Sequence, residues 1–348
     1  MIIKNKISKN FSGCDCVVML DGKDGDRAIK LLQLTDMQFI DSSQSRKADR
    51  LKPDEVKPWA PENFDLQCGN QIRTLVAQCK PDVIFITGDM VYGEFDDNGS
   101  VFTWFCKFMD QFEIPWAPVF GNHDNESAKG VQWQCEQLEN SKYCLFKRGC
   151  VSGNGNYVVG IARGEKLVNL MYMLDSNGCS GATDCEVIKT QGIFPDQIEF
   201  IKKRAREIEE TQGRKIPSIV AFHIPTDDFV QAEEEKGYKT EERCFYNIGV
   251  DVDQRGEDFG CKYEKISPIV VPKFSQTLKE INAKGVFAGH YHCVNTCISY
   301  DRIKWVFGLK TGQYDYHNPS QLGGTLIRAN GENLEVNHLK MCEIKLCV

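Results

Sequence analysis

The sequence predicts an α/β fold in which two packed β-sheets carry helices on their outer faces. Three observations carry this reading. The first half alternates strand and helix patterns, the second half is rich in short apolar strands, and Asp, Asn and His gather where those strands stop. With 348 residues, 41% hydrophobic and 26% charged, the chain can bury a large core.

Residues 29–36, IKLLQLTD, read as a buried strand ending in a carboxylate. Over 65–80, Ile72, Leu75, Val76 and Cys79 recur at helical spacing. Residues 82–89, DVIFITGD, form an apolar run suited to a strand covered on both faces. A helix follows over roughly 99–112, a strand over 116–124 (WAPVFGNHD) and a helix over 126–139. Further strands are NYVVGIA, VNLMYMLDS, PSIVAFHIP, GVFAGHYH, TCISY, IKWVFGL and GTLIRA, with helices near 195–210 and 273–283. There is no internal repeat or low-complexity linker, so 1–348 reads as one domain with its core over about 25–330. Two long irregular stretches, 41–64 and 227–271, follow candidate site residues and are expected to form walls or lids of a cleft. The acidic run at 233–235 is expected on a solvated face.

The net charge of −7 argues against a broad grip on nucleic acid or an anionic membrane. An anionic substrate must then be held locally, by metal ions or a few basic groups. No stretch reaches the roughly 18 apolar residues that span a bilayer. The N-terminus has basic residues but no apolar run like that of a signal peptide, which makes a cytoplasmic location the expectation. Sixteen cysteines without a C-x-x-C are expected to be mostly small, reduced core residues, with Cys135–Cys185 and Cys244–Cys261 as the disulfide alternatives.

Five motifs fall at strand ends: Asp36-x-Gln38, Gly88-Asp89, GNHD at 121–124, His223, and GHYH at 289–292. Ligands of open α/β sheets bind beyond the carboxyl ends of strands. Four of the six histidines (His123, His223, His290 and His292) lie in these motifs. A lone His after a strand is usually an ordinary loop residue, and GD ends many strands merely as a turn. The combination points instead to a metal site, since imidazole, carboxylate and amide oxygen suit Fe, Zn or Mn better than Ca or Mg.

This order of motifs resembles the calcineurin-like metallophosphoesterase family over about 25–330. KPDVIFITGD, the IPW…GNHD spacing and the HIP segment are most similar to its purple-acid-phosphatase-like branch, which includes the Dcr2-type phosphatases. The resemblance implies a four-layer αββα sandwich of two mixed sheets, with a binuclear metal centre at the strand C-terminal ends. Asp36, Gln38, Asp89 and His292 would surround the first ion. Asp89, Asn122, His223 and His290 would surround the second, with Asp89 bridging. His123 would face the phosphate as general acid or as stabiliser of transition-state charge, and Asp124 would orient it. Tyr92, at the spacing of G-D-x-x-Y, serves either as a further ligand or as a cleft wall.

Gln38 stands where the family has His. It could ligate weakly through its carbonyl, leave a water in its place, or leave the first site largely empty. The expected reaction is direct hydrolysis of a phosphomonoester by water activated between the ions, with no covalent phosphoenzyme required. The alternatives are a phosphodiesterase of the same fold and a metal-binding protein without turnover; a thiol redox protein is a distant third. Lys310, within 307–324, is the nearest candidate cation, and the aromatics of that segment are candidate cleft walls. The expected partner is a phosphorylated substrate, and the sequence does not specify its class.

Overall fold

The structure, a computed structural model, describes residues 2–3, 7–21, 27–44, 64–179, 187–235 and 274–344. Among these residues the strands are β1 (Ile2–Ile3), β2 (Cys16–Met19), β3 (Ile29–Leu34), β4 (Val83–Thr87), β5 (Trp116–Val119), β6 (Tyr157–Arg163), β7 (Lys166–Met173), β8 (Ser218–Ala221), β9 (Ala283–Ala288), β10 (Cys297–Tyr300), β11 (Ile303–Phe307), β12 (Gly323–Asn330) and β13 (Asn333–Lys340). The α-helices are α1 (Phe64–Cys79), α2 (Ser100–Asp110), α3 (Val131–Asn140), α4 (Pro195–Gln212), α5 (Asp227–Glu235) and α6 (Phe274–Glu280).

One sheet has the order β1-β2-β6-β7-β8-β9-β11-β10, the other β13-β12-β3-β4-β5. Both are mixed. In the smaller, β3, β4 and β5 run parallel, and α1 and α2 supply the long connections that parallel neighbours need. In the larger, β7, β8, β9 and β11 form a parallel run.

Side chains of the large sheet alternate between two cores, as a period of two requires. Tyr157, Val159, Met171, Met173 and Phe287 join the core shared with the small sheet. Val158, Leu170, Tyr172, Val220 and Val286 pack with Ile198 and Ile201 of α4 and Phe274 and Leu278 of α6. Phe85 of β4 meets Phe287 of β9 edge-on at 5.5 Å, so the sheets stack face to face. Ile72 and Leu75 of α1 and Phe105 of α2 pack on the small sheet's side. The expected four layers are therefore present.

The sequence-based boundaries differ in instructive places. β5 stops at Val119, because Gly121 N–H turns back to donate to Asp124 Oδ2. The following helix begins at Val131, after a 3-10 turn over Asp124–Glu126 and Gly130 at φ +78°. β1, β2 and β13 were not anticipated; β13 extends the core past 330 by pairing along all of β12. Of the two expected long loops, 41–44 is a turn and 45–63 lies outside the described residues. The second is corrected at its start, where 227–235 is α5, while 236–271 also lies outside them.

α5 overturns the solvated-face reading of the acidic run. Glu234 and Glu235 are exposed, but Glu233 is fully buried and accepts from Thr296 Oγ1 at 2.9 Å. The helix lays one stripe against the chain before β10, and Glu233 falls in it. Burial pushes its carboxyl up to about 8, with Thr296 opposing. The folded protein therefore keeps a proton that the unfolded chain releases above its ordinary 4.5, so stability is lost as pH rises from 4.5 towards 8. Glu233→Gln is expected to remove this dependence. Its urea midpoint should match the parent near pH 4.5 and exceed it near pH 8, by about 2–4 kcal/mol in unfolding free energy. A gap that does not change with pH would refute the assignment.

Eight of the eleven free thiols described are buried, as expected of core residues. Cys135 is one of them, so it is not half of a bridge to Cys185; its thiol packs inside α3 against the shared core. Cys244 and Cys261 lie outside the described residues. Cys293 is disulfide-bonded.

Candidate metal centre

Two sheets deliver the five motifs to one place. Asp36 and Gln38 follow β3, Asp89 follows β4, and Asn122, His123 and Asp124 follow β5. His223 follows β8 of the other sheet, and His290 and His292 follow β9. Asp36, Gln38, Asp89 and His290 all adopt left-handed backbone, with φ of 51°, 50°, 51° and 74°. Non-glycine residues adopt this region at a cost, and neighbouring contacts must hold them there. Asp36 N–H donates to Gly88 O, Gln38 N–H to Asp89 O, His123 N–H to Asp89 Oδ1 and His290 N–H to Asp36 Oδ2, at 2.9–3.1 Å. Glycine is required beside them. A Cβ on Gly88 would strike the His223 ring, and one on Gly121 would strike the Asp89 carboxylate.

Ligand atoms of Asp36, Asp89 and His223 all lie within 4.8 Å of one another, and the three residues are buried. Burial opposes charge on each. Even so, His292 and His223 pull Asp36 down to about 2, and His223 and His123 pull Asp89 well below the usual carboxylate range. His223, opposed by burial, is raised to about 10, chiefly by Asp89. The pocket therefore demands compensating positive charge.

The donor set tests whether an ion fits. His223 Nδ1 lies 2.6 Å from Thr87 O, an acceptor, so that nitrogen carries a proton. Its Nε2 then faces Asn122 Oδ1 at 3.0 Å and Asp89 Oδ2 at 3.5 Å, both acceptors. His290 Nδ1 reaches the same Asn122 Oδ1 at 2.9 Å. Donors bonded to one ion at about 2.1 Å and at right angles stand about 3 Å apart, so Asp89, Asn122, His223 and His290 fit an ion between them.

The first set fits less well. His292 Nδ1 donates to Tyr316 O at 2.9 Å, and Nε2 faces Asp36 Oδ1 at 3.3 Å. Gln38, however, has its carbonyl oxygen 2.6 Å from the ammonium of Lys310, which can only donate. The amide NH2 is therefore the end turned towards the site, 3.4 Å from Asp89 Oδ2.

His123 is placed differently from expectation. Asp124 does not touch its ring. The Asp124 carboxylate is buried and accepts N–H groups of Gly121, Asp89 and Val91 at 2.7–3.0 Å, which ties the β4 and β5 loops together. Glu126 orients His123 instead, with Oε2 at 3.0 Å from Nδ1. The signal available in the sequence was the i,i+3 spacing, which brings Glu126 back to His123 in a single turn. Tyr92 stacks flat on His123, centroids 4.2 Å apart, and Tyr316 stacks in the same way on His292. Tyr316 belongs to the segment expected to supply aromatic walls.

Fold and site together describe a metal-dependent phosphoesterase type. The sequence model of the calcineurin-like phosphoesterases matches residues 29–294, and the chain belongs to that family. "Probable inactive purple acid phosphatase 28" of Arabidopsis thaliana is 32% identical over 323 residues, covering 85% of this chain and 73% of the relative. "Probable inactive purple acid phosphatase 14" of the same plant is 24% identical, covering 86% and 73%. "Phosphatase DCR2" of Saccharomyces cerevisiae is 26% identical over 64% of this chain and 38% of its own length. A solved dimetal phosphatase from Danio rerio superposes with a TM-score of 0.48 at 10% identity, covering 89% of this chain and 99% of that one. No described helix is long and apolar enough to cross a membrane.

Proposed function

We propose that this chain hydrolyses phosphate monoesters at a metal centre held by Asp89, Asn122, His223 and His290. The observation that carries the reading is the convergence of a carboxylate, an amide oxygen and two imidazoles, from both sheets, on one buried point. When bound there, an Fe, Zn or Mn ion neutralises phosphate charge and makes water nucleophilic near neutral pH. The protein's own groups do the rest. Glu126 holds the His123 ring by Nδ1, so proton traffic with the leaving oxygen runs through Nε2. Tyr92 stacks on that ring at 4.2 Å, which supports its reading as a wall of the site rather than a ligand. The net charge of −7 makes a nucleic-acid substrate the poorer fit.

A metal-binding protein without turnover is the second reading. Gln38 turned onto Lys310 favours it, as do the names of the plant relatives. Hydrolysis of an aryl phosphate separates the two. Turnover should appear with Mn2+ or Zn2+, vanish with a chelator and return on re-addition, and an aryl phosphodiester should react more slowly. Bound metal without turnover would establish the second reading, and a faster diester would make the chain a phosphodiesterase.

A further inference from the structure

We propose that Lys310 replaces the first metal ion of the family's pair, so that the centre holds one ion and one ammonium. This rests on the metal-centre reading above. The Lys310 side chain comes from the segment after β11 and is 2% exposed. Its Nζ donates to Gln38 Oε1 at 2.6 Å and to Asp36 O at 2.7 Å. Both acceptors belong to the loop that should hold the first ion.

Three consequences follow from donor chemistry. Gln38 turns its carbonyl oxygen to Lys310 and its NH2, which can only donate, towards the site, so the end it presents there is no ligand for an ion. That NH2 lies 3.4 Å from Asp89 Oδ2, so a hydrogen-bond donor stands beside the carboxylate on the side where the first ion would sit. Asp36 Oδ2 is engaged by Thr35 Oγ1 at 2.6 Å and by His290 N–H at 3.1 Å, which leaves Oδ1, facing His292 Nε2 at 3.3 Å, as its oxygen turned towards the site. Of the four expected first-site donors, Asp36 Oδ1 and His292 Nε2 face each other at 3.3 Å, while Gln38 turns its oxygen away to Lys310 and sets its NH2 beside Asp89.

Charge completes the argument. Two buried carboxylates, Asp36 and Asp89, need positive charge nearby. With one ion beside Asp89, a buried ammonium within the Asp36 loop supplies the remainder. An isolated Lys is almost never fully buried without such a partner. An ammonium has three N–H donors, and the two contacts above use two of them. The third can donate to a phosphate oxygen, so the substrate would be gripped by an ion on one side and by Lys310 on the other.

The test is metal stoichiometry on the full chain, stripped, reloaded with Mn2+ and dialysed. One tightly held ion per chain is expected, with the hyperfine-split paramagnetic spectrum of isolated Mn2+. His223→Ala should lose it. The double variant Gln38→His, Lys310→Met should take up a second ion and show the broadened spectrum of a coupled pair. Two tight ions in the parent protein would overturn the substitution while leaving the metal-centre reading intact. No tight ion in the parent would overturn the metal-centre reading itself, and this inference with it. Because the parent stoichiometry decides both, the conclusion survives a double variant that fails to fold.

Discussion

Asp89→Asn is expected to empty the metal centre while the fold persists. The substitution keeps shape and volume, and an Asn oxygen can still accept the His123 N–H that Asp89 Oδ1 now receives at 3.0 Å. What disappears is the charge that holds His223 and any ion opposite it. Loss of even an outer partner of a metal ligand costs about 10–100-fold in affinity, so losing this carboxylate should cost at least ~100-fold. Elemental analysis after dialysis reads the effect directly. An Asp89→Asn protein that keeps its full metal content would remove Asp89 from the centre, and catalytic loss alone would not rescue the assignment.

His123→Ala should show the opposite pattern, with metal retained and turnover lost. The ring stacks on Tyr92 and meets Glu126, and it makes none of the short contacts that join His223, His290 and Asn122. A positioned general acid contributes about 10²–10⁴-fold, and kcat on an aryl phosphate should fall within that range with KM little changed. Glu126→Gln keeps the ring in place but weakens its orientation, and a smaller fall in kcat is expected at unchanged metal content. Unchanged turnover in His123→Ala would exclude it from the reaction.

The parts of this molecule legible in the sequence are those governed by local pattern. An apolar run followed by Asp, Asn or His announces both a buried strand and the edge at which it delivers a ligand. For that reason β3, β4, β5, β8 and β9 and the residues beyond them could be read in order. What escaped was decided by folding at long range or by direction within a turn. Lys310 and Gln38 are 272 positions apart, and nothing near either one announces the other. Asp124 is next to His123 in sequence, but its side chain turns to three backbone N–H groups, and the buried Glu126 takes the place beside the ring. Glu233 sits among acidic neighbours, and only the rotation of α5 separates the buried one from the exposed ones. The strands β1 and β2 fall in a stretch whose pattern was too short to separate from a loop.

The origin of the donors in two different sheets has a consequence for how the protein lives and dies in a cell. Asp89 and Asn122 belong to loops of the smaller sheet, His223 and His290 to loops of the larger. An ion held by all four would rivet the sandwich across its open edge, because it binds only when both halves are in register. Ligand that binds only the native state stabilises it by about 2.7 kcal/mol at a hundred times its dissociation constant. Metal supply would then set the protein's lifetime as well as its chemistry. Under metal starvation the sheets would separate at that edge first, and proteolysis would begin at the loops that carry the donors.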